Sequence, residues 1–221
     1  MTPYYQDDLV TLYCGDSYEL IDELPKPDLL LTDPPYEIAM EANMKLFGKT
    51  RNYQRESAGF TDMGFNVEIL AKFDNWMSFC SLTQVPKLIG QANGSGNWML
   101  LTWHKSNPIP LCRVGYLPDT EYIIHKWSKG RLFGRYHDKT RYIVHPCRQD
   151  NQHPNQKPLP VLAKLVTLGS QKGELVMDIF AGSGTTGVIC KQMGRRCVLI
   201  EREERYCEIA AKALAQEYLA L

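Results

Sequence analysis

The sequence predicts an α/β fold, a mostly parallel sheet with helices on both faces. Two observations carry that prediction. Short unbroken apolar runs of strand length alternate with segments whose apolar residues recur at helical spacing, the pattern of βαβ units buried on both sides. The two segments richest in chemical side chains each come directly after one of those runs, which is where open α/β sheets bind ligands.

In chain order, Leu9 to Tyr13 reads as a strand followed by Gly15-Asp16. Asp28 to Thr32 is a buried strand that ends in Asp33-Pro34-Pro35-Tyr36. The polar run from Glu37 to Gly64 reads as a loop or small subdomain. Val67 to Phe79 reads as a helix, and Pro86 disturbs the segment after it. Asn93 to Gly96 is a turn, then Asn97 to Trp103 and Glu121 to Trp127 read as strands. Pro158 starts and Gly169 stops a helix over Leu159 to Leu168. Glu174 to Phe180 is a strand, Thr185 to Met193 a helix ending at Gly194, and Cys197 to Ile200 a strand. Tyr206, Ile209, Ala210, Ala213 and Leu214 mark one face of a last helix.

The 221 residues suit one catalytic domain over residues 1–221. Hydrophobic residues make up 44% and charged residues 23%, as in ordinary globular proteins. Lys plus Arg number 25 and so do Asp plus Glu, so any nucleic-acid surface must come from local patches. Seven cysteines without a CxxC pair read as reduced thiols. The acidic start, MTPYYQDDLV, does not read as a signal peptide, and no apolar run has the length of a membrane span. Together these point to a cytoplasmic protein. His137, His145, Cys147 and His153 lack the spacing of a structural zinc site, so no metal is expected.

Asp178-Ile-Phe180-Ala181-Gly182-Ser183-Gly184-Thr185-Thr186 joins a strand to a helix. Its glycines permit a tight turn and close approach of backbone to a ligand, and its hydroxyls can cap the helix. Glu201, 23 residues after Asp178, ends the next strand, where an acid suits the hydroxyls of a ribose. The third glycine of a dinucleotide fingerprint and the Gly-Lys-Ser/Thr of a phosphate loop are both missing. A nucleoside cofactor without phosphates fits better.

Asp33-Pro34-Pro35-Tyr36 suits chemistry on an exocyclic amine. Such a nitrogen is a poor nucleophile because its lone pair is delocalised into the ring. The Asp33 carboxylate and the Pro34 carbonyl can both accept its N–H bonds and free the lone pair. Pro34 and Pro35 stiffen the loop and remove competing donors. Tyr36 can stack on a base that has left the duplex.

These segments resemble the amino-methyltransferase family of DNA modification enzymes, which make N6-methyladenine or N4-methylcytosine. Asp33 to Tyr36 resembles its catalytic motif, and Asp178 to Thr186 its S-adenosylmethionine motif. His153-Pro-Asn-Gln-Lys157-Pro158 resembles the segment before the cofactor strand, and Leu12 to Asp16 the N-terminal segment near the cofactor adenine. The catalytic motif comes first, as in the β group. The resemblance implies a Rossmann-like methyltransferase fold with a seven-stranded sheet carrying one antiparallel hairpin strand. It implies cofactor contacts from Asp16, Asp33, Lys157, Asp178, the Phe180 to Thr186 loop, Glu201 and Arg202. It also implies transfer to adenine N6 in double-stranded DNA, because the N4-cytosine members more often carry Ser in place of Asp33. Cytosine stays open, as does a non-catalytic binding protein of the same fold. The family works as monomers or homodimers in bacterial, archaeal or phage-infected cells, and any restriction endonuclease would be a separate polypeptide.

Two insertions, 37–65 and 128–150, are the expected target-recognition segments. The second lies in a basic-aromatic stretch that includes Lys129, Arg131, Arg135, Lys139 and Arg141 among Trp127, Phe133, Tyr136 and Tyr142. The first holds Lys45, Lys49, Arg51 and Arg55 without an acid between them. Basic side chains neutralise phosphates, and aromatics stack or wedge. Lys105, in the Trp103 to Pro110 loop, is a further candidate DNA contact.

Overall fold

The structure, a computed structural model, describes residues 1–36, 64–94, 96–108, 116–147 and 156–216. Its strands are β1 (Tyr5–Gln6), β2 (Val10–Cys14), β3 (Leu29–Thr32), β4 (Trp76–Cys80), β5 (Asn97–His104), β6 (Thr120–Trp127), β7 (Tyr142–Val144), β8 (Leu175–Asp178) and β9 (Arg196–Glu201). Among the described residues the α-helices are α1 (Ser17–Leu20), α2 (Val85–Ala92), α3 (Leu159–Gly169), α4 (Thr185–Gln192) and α5 (Glu204–Ala215). None of them is long and apolar enough to cross a membrane.

Among the described residues, one sheet holds all nine strands in the order β1-β2-β9-β8-β3-β4-β6-β5-β7. From β2 to β4 every neighbour is parallel, and β6 runs against both β4 and β5. That is the expected seven-stranded arrangement with its hairpin strand. Two short strands extend it: β1 pairs antiparallel with β2, and β7 pairs parallel with β5.

The pleat sends alternate side chains to opposite faces, and the core divides accordingly. Leu29 and Leu31 of β3, Met77 and Phe79 of β4, and Cys197 and Leu199 of β9 pack with Leu165, Ile189 and Leu214 of the helices on one face. Leu30, Trp76, Cys80, Val198 and Ile200 pack on the other face with Ile69, Leu70 and Leu88. Strands buried on both sides read as continuous apolar runs for this reason.

Two expectations are corrected. Val67 to Phe79 is not one helix: a 3-10 turn spans Val67–Lys72, and β4 comes after it. Pro86 does not disrupt but sits in the first turn of α2, where its missing N–H has no intrahelical partner to lose.

Candidate active site

Because β2, β9, β8, β3 and β4 are parallel, their carboxyl ends lie along one edge. The antiparallel β6 brings its amino end, Thr120 and Glu121, to the same edge. Both motifs leave the sheet there.

The Asp178 loop is held by its own chain. Asp178 Oδ1 accepts from Thr32 Oγ1 at 2.9 Å and from the Phe180 N–H at 3.1 Å, and Oδ2 accepts from Thr186 Oγ1 at 2.6 Å. Burial pushes its carboxyl up to about 6 against those hydrogen bonds. Gly182 and Gly184 turn the chain with φ of 51° and 77°, a region open to glycine. The Gly182 N–H donates to Glu201 Oε2 at 2.7 Å, and the Gly15 N–H donates to the Glu201 carbonyl at 2.9 Å. Ser17 Oγ donates to the Ile179 carbonyl, and Asp16 caps α1 by accepting from the Tyr18 N–H at 2.8 Å. Backbone hydrogen bonds thus bring Asp16, Gly182 and Glu201 close together. The Phe180 ring lies edge-on to Tyr18 and to Phe65. Ser183 and Thr185 exchange a 3.1 Å hydroxyl contact inside the turn, and Ala181 is buried beneath it. Arg202 is exposed, its Nε 3.8 Å from Glu203.

Across the edge, the Asp33 loop is fixed from three sides. Lys157 Nζ lies 2.5 Å from Asp33 Oδ2 and 3.3 Å from Glu121 Oε2. Tyr36 donates its hydroxyl to Glu121 Oε2 at 3.0 Å, and Lys105 Nζ is 2.7 Å from Glu121 Oε1. Gln84 Nε2 donates to the Pro35 carbonyl at 3.1 Å, and Gln84 Oε1 accepts from the Ser81 N–H at 3.0 Å. Asp33 Oδ1 is buried and has no hydrogen-bond partner among the described residues.

Burial pushes the Asp33 carboxyl up, opposed by the Lys157 ammonium. Burial would raise Glu121 as well, but Lys157 and Lys105 outweigh it and hold it down to about 2. Lys157 is held above the ordinary lysine value, because Asp33 and Glu121 outweigh the cost of burying its charge. The Tyr36 phenol is raised by burial and by both carboxylates.

The structure thus brings the two motifs together and adds Glu121 and Gln84, which sequence reasoning missed. A charge in a strand and a glutamine before a helix carry no local signal; the β4–β6 pairing brings Glu121, and the β3–β4 pairing brings Gln84, to the Asp33 loop.

The basic candidates are dispersed. Lys45, Lys49, Arg51 and Arg55 lie outside the described residues. Lys105 is not a free cation: its side chain is 19% exposed and paired with Glu121. Arg131 grips Glu174 with two hydrogen bonds, at 2.7 and 3.0 Å, and the Asp28 carbonyl at 3.2 Å. Those partners precede β8 and β3, so Arg131 stands at the sheet edge opposite Asp33. Lys129, Arg135, Lys139 and Arg141 are exposed, and the last two rim a cleft lined by Met99, Leu101, Leu132 and Leu168.

Fold and site together define a Rossmann-like methyltransferase with its two motifs in register at one sheet edge. A family model described as DNA methylase, covering N6 and N4 enzymes, matches residues 27–212, and the chain belongs to that family. Type II methyltransferase M2.LlaDCHI of Lactococcus lactis subsp. cremoris is 26% identical over 252 aligned positions, covering 96% of this chain and 91% of the relative. Type II methyltransferase M2.DpnII of Streptococcus pneumoniae is 25% identical, covering 97% and 93%. The crystal structure of the M1.HpyAVI–SAM complex superposes with a TM-score of 0.68 at 25% identity, covering 93% of this chain and all of that one. PvuII DNA methyltransferase, described as cytosine-N4-specific, has a TM-score of 0.68 at 15% identity, covering 98% and 90%, a likeness of fold.

Proposed function

We propose that this DNA methyltransferase moves a methyl group from S-adenosylmethionine to N6 of adenine in double-stranded DNA, acting on a base flipped out of the helix. The observation that carries the reading is Asp33 Oδ1, a buried acceptor without a partner among the described residues, beside a carboxylate oxygen already fixed by Lys157.

The donor-set chemistry fits the cofactor. Glu201 offers a carboxylate at the ribose position, and Phe180 with Tyr18 and Phe65 offers aromatic surface. Among the described residues, a Cβ on Gly182 meets no atom within 4 Å. Asp16 is held near Glu201, while Asp178 and the Ser183, Thr185 and Thr186 hydroxyls hold the loop in shape. When bound, S-adenosylmethionine supplies an electrophilic methyl on a sulfonium.

The chain's own residues do the rest. Asp33 Oδ1 accepts one N–H of the target amine and the Pro34 carbonyl the other, which returns lone-pair density to nitrogen. Lys157 fixes the Asp33 rotamer, and Gln84 fixes the loop through Pro35. With the parts already in place, little reorganisation remains at the moment of reaction. Tyr36, tethered by Glu121, presents its ring for stacking.

Asp33 supports adenine over cytosine, the N4 reading being the alternative. Exposed Lys129, Arg135, Lys139 and Arg141, with the basic residues of 45–55, are the proposed phosphate contacts, and 37–65 and 128–150 the target-recognition segments. The Type II methyltransferase names of the relatives support a DNA-modification role, and a cytoplasmic setting with any endonuclease on another chain is part of the same proposal. The reading is tested with methyl-labelled cofactor on duplex DNA of mixed sequence, digested to nucleosides: the label is expected in N6-methyladenine and not in N4-methylcytosine. The opposite preference establishes the cytosine alternative.

A further inference from the structure

Four ionic side chains from separate parts of the chain meet beside the catalytic loop. Glu121 Oε1 binds Lys105 Nζ at 2.7 Å, Glu121 Oε2 binds Lys157 Nζ at 3.3 Å, and Lys157 binds Asp33 Oδ2 at 2.5 Å. Two ammonium and two carboxylate groups sum to zero. Their side chains are between 9% and 26% exposed, so water and salt screen them weakly.

We propose that Glu121 is a charge-balancing residue that keeps this cluster neutral so that the cationic methyl donor can approach Asp33. The inference rests on the methyltransferase reading above. Transfer requires the sulfonium methyl to come within reach of an amine held at Asp33. With Glu121 present, the donor's positive charge meets a neutral cluster. Without it, Lys105 and Lys157 outnumber Asp33, and the net charge becomes positive where a second cation must enter. A net unit charge felt across about 10 Å at an effective dielectric near 20 changes affinity by about tenfold.

The demethylated product, S-adenosylhomocysteine, is the internal control. It keeps the adenosine and amino-acid groups but is a neutral thioether. A change in site shape moves both affinities together, whereas a change in site charge moves their ratio.

Isothermal titration of the full chain with each ligand makes the test, on wild type, Glu121→Gln and Lys105→Met. Gln keeps the shape of Glu and still accepts from Tyr36. Glu121→Gln is expected to raise the Kd for S-adenosylmethionine relative to the product about tenfold. Lys105→Met leaves the cluster net negative and is expected to move the ratio the other way. Lys105 stands at the edge of the cluster, so its variant carries the sign test even if Glu121→Gln fails to fold. An unchanged ratio in Lys105→Met, or equal weakening of both ligands in both variants, overturns the proposal. Wild-type protein that binds neither ligand overturns the methyltransferase reading itself, and the proposal with it.

Discussion

Lys157 Nζ lies 2.5 Å from Asp33 Oδ2, although 124 residues separate the two in sequence. The preceding side chain, Gln156, donates through Nε2 to Thr185 Oγ1 at 2.9 Å. Two adjacent residues therefore clasp one motif loop each, and the spacing between the cofactor loop and the catalytic loop is set by the fold itself. This makes the segment before α3 a strut between the two halves of the site.

Asp33→Ala removes the acceptor and leaves Lys157 with Glu121 alone. Methyl transfer is expected to fall about a thousandfold, the scale for losing a preorganised electrostatic group. Binding of the uncharged thioether product should stay within about threefold. Single-turnover transfer and product titration check both, and full activity would contradict the assignment.

Gln84 touches neither proposed ligand but holds the Pro35 carbonyl at 3.1 Å and the Ser81 N–H at 3.0 Å. Gln84→Ala frees the catalytic loop on one side. The expected loss is about tenfold to hundredfold in kcat from misplacement, with about 1–3 kcal/mol of stability for the abandoned polar groups. Unchanged kcat with reduced stability would make Gln84 a scaffold residue only.

Asp178 gives a pH-dependent prediction. Its carboxyl is raised from 3.8 to about 6 in the folded protein, chiefly by burial. The protonated form is therefore favoured by folding. Its stabilising contribution is complete below the unfolded value and is lost as pH rises through the folded one. Asp178→Asn, which stays neutral, should gain on wild type between about pH 4 and 6, by about 3 kcal/mol above pH 6. Denaturant unfolding across pH 4 to 8 reads this, and a pH-independent difference would contradict it.

The two loop glycines should fail differently. A Cβ on Gly184 would sit 2.8 Å from the Ala210 Cβ at a φ of +77°, so Gly184→Ala should cost about 2–4 kcal/mol through strain and overpacking. A Cβ on Gly182 meets no atom of the described residues within 4 Å. Gly182→Val should cost about 1–2 kcal/mol for its φ, with its larger effect on cofactor affinity. Thermal unfolding and ligand titration on the pair separate the two roles.

Arg131 and Arg135 provide a matching contrast. Arg131 is bound to Glu174 and Asp28, and Arg131→Ala should lower stability by about 1–2 kcal/mol, allowing for partial exposure, with the DNA salt dependence unchanged. Arg135 pairs with Asp138 at 3.4 Å on the exposed surface, so Arg135→Ala should cost little stability and make the log–log salt slope shallower by about one. Identical slopes for Arg135→Ala and wild type would remove Arg135 from the DNA surface.

Both motif loops were legible in the sequence because each is local: a buried strand, a turn of special residues, then polar groups aimed at the sheet edge. The seven strands with one antiparallel hairpin strand came from the resemblance, whereas the strand order and the identity of that strand as β6 came from the structure. The features that escaped were set by distant pairing or by ambiguity of period. Trp76–Cys80 is buried on both faces, so it shows neither the alternation of a half-exposed strand nor a helical stripe, and it merged with the apolar turn before it. Glu121 looked like one more charge at a strand end. Its weight comes from Lys105, Lys157 and Tyr36, all brought to it by tertiary structure. Arg131 and Lys105 looked like DNA contacts because composition cannot show that a cation is already paired.

The most direct measurement is nucleoside mass spectrometry of duplex DNA incubated with the protein and S-adenosylmethionine. The account predicts N6-methyladenine, absent when Asp33→Ala replaces wild type. N4-methylcytosine would contradict the adenine assignment while keeping the site, and DNA without any methylated nucleoside would contradict the account as a whole.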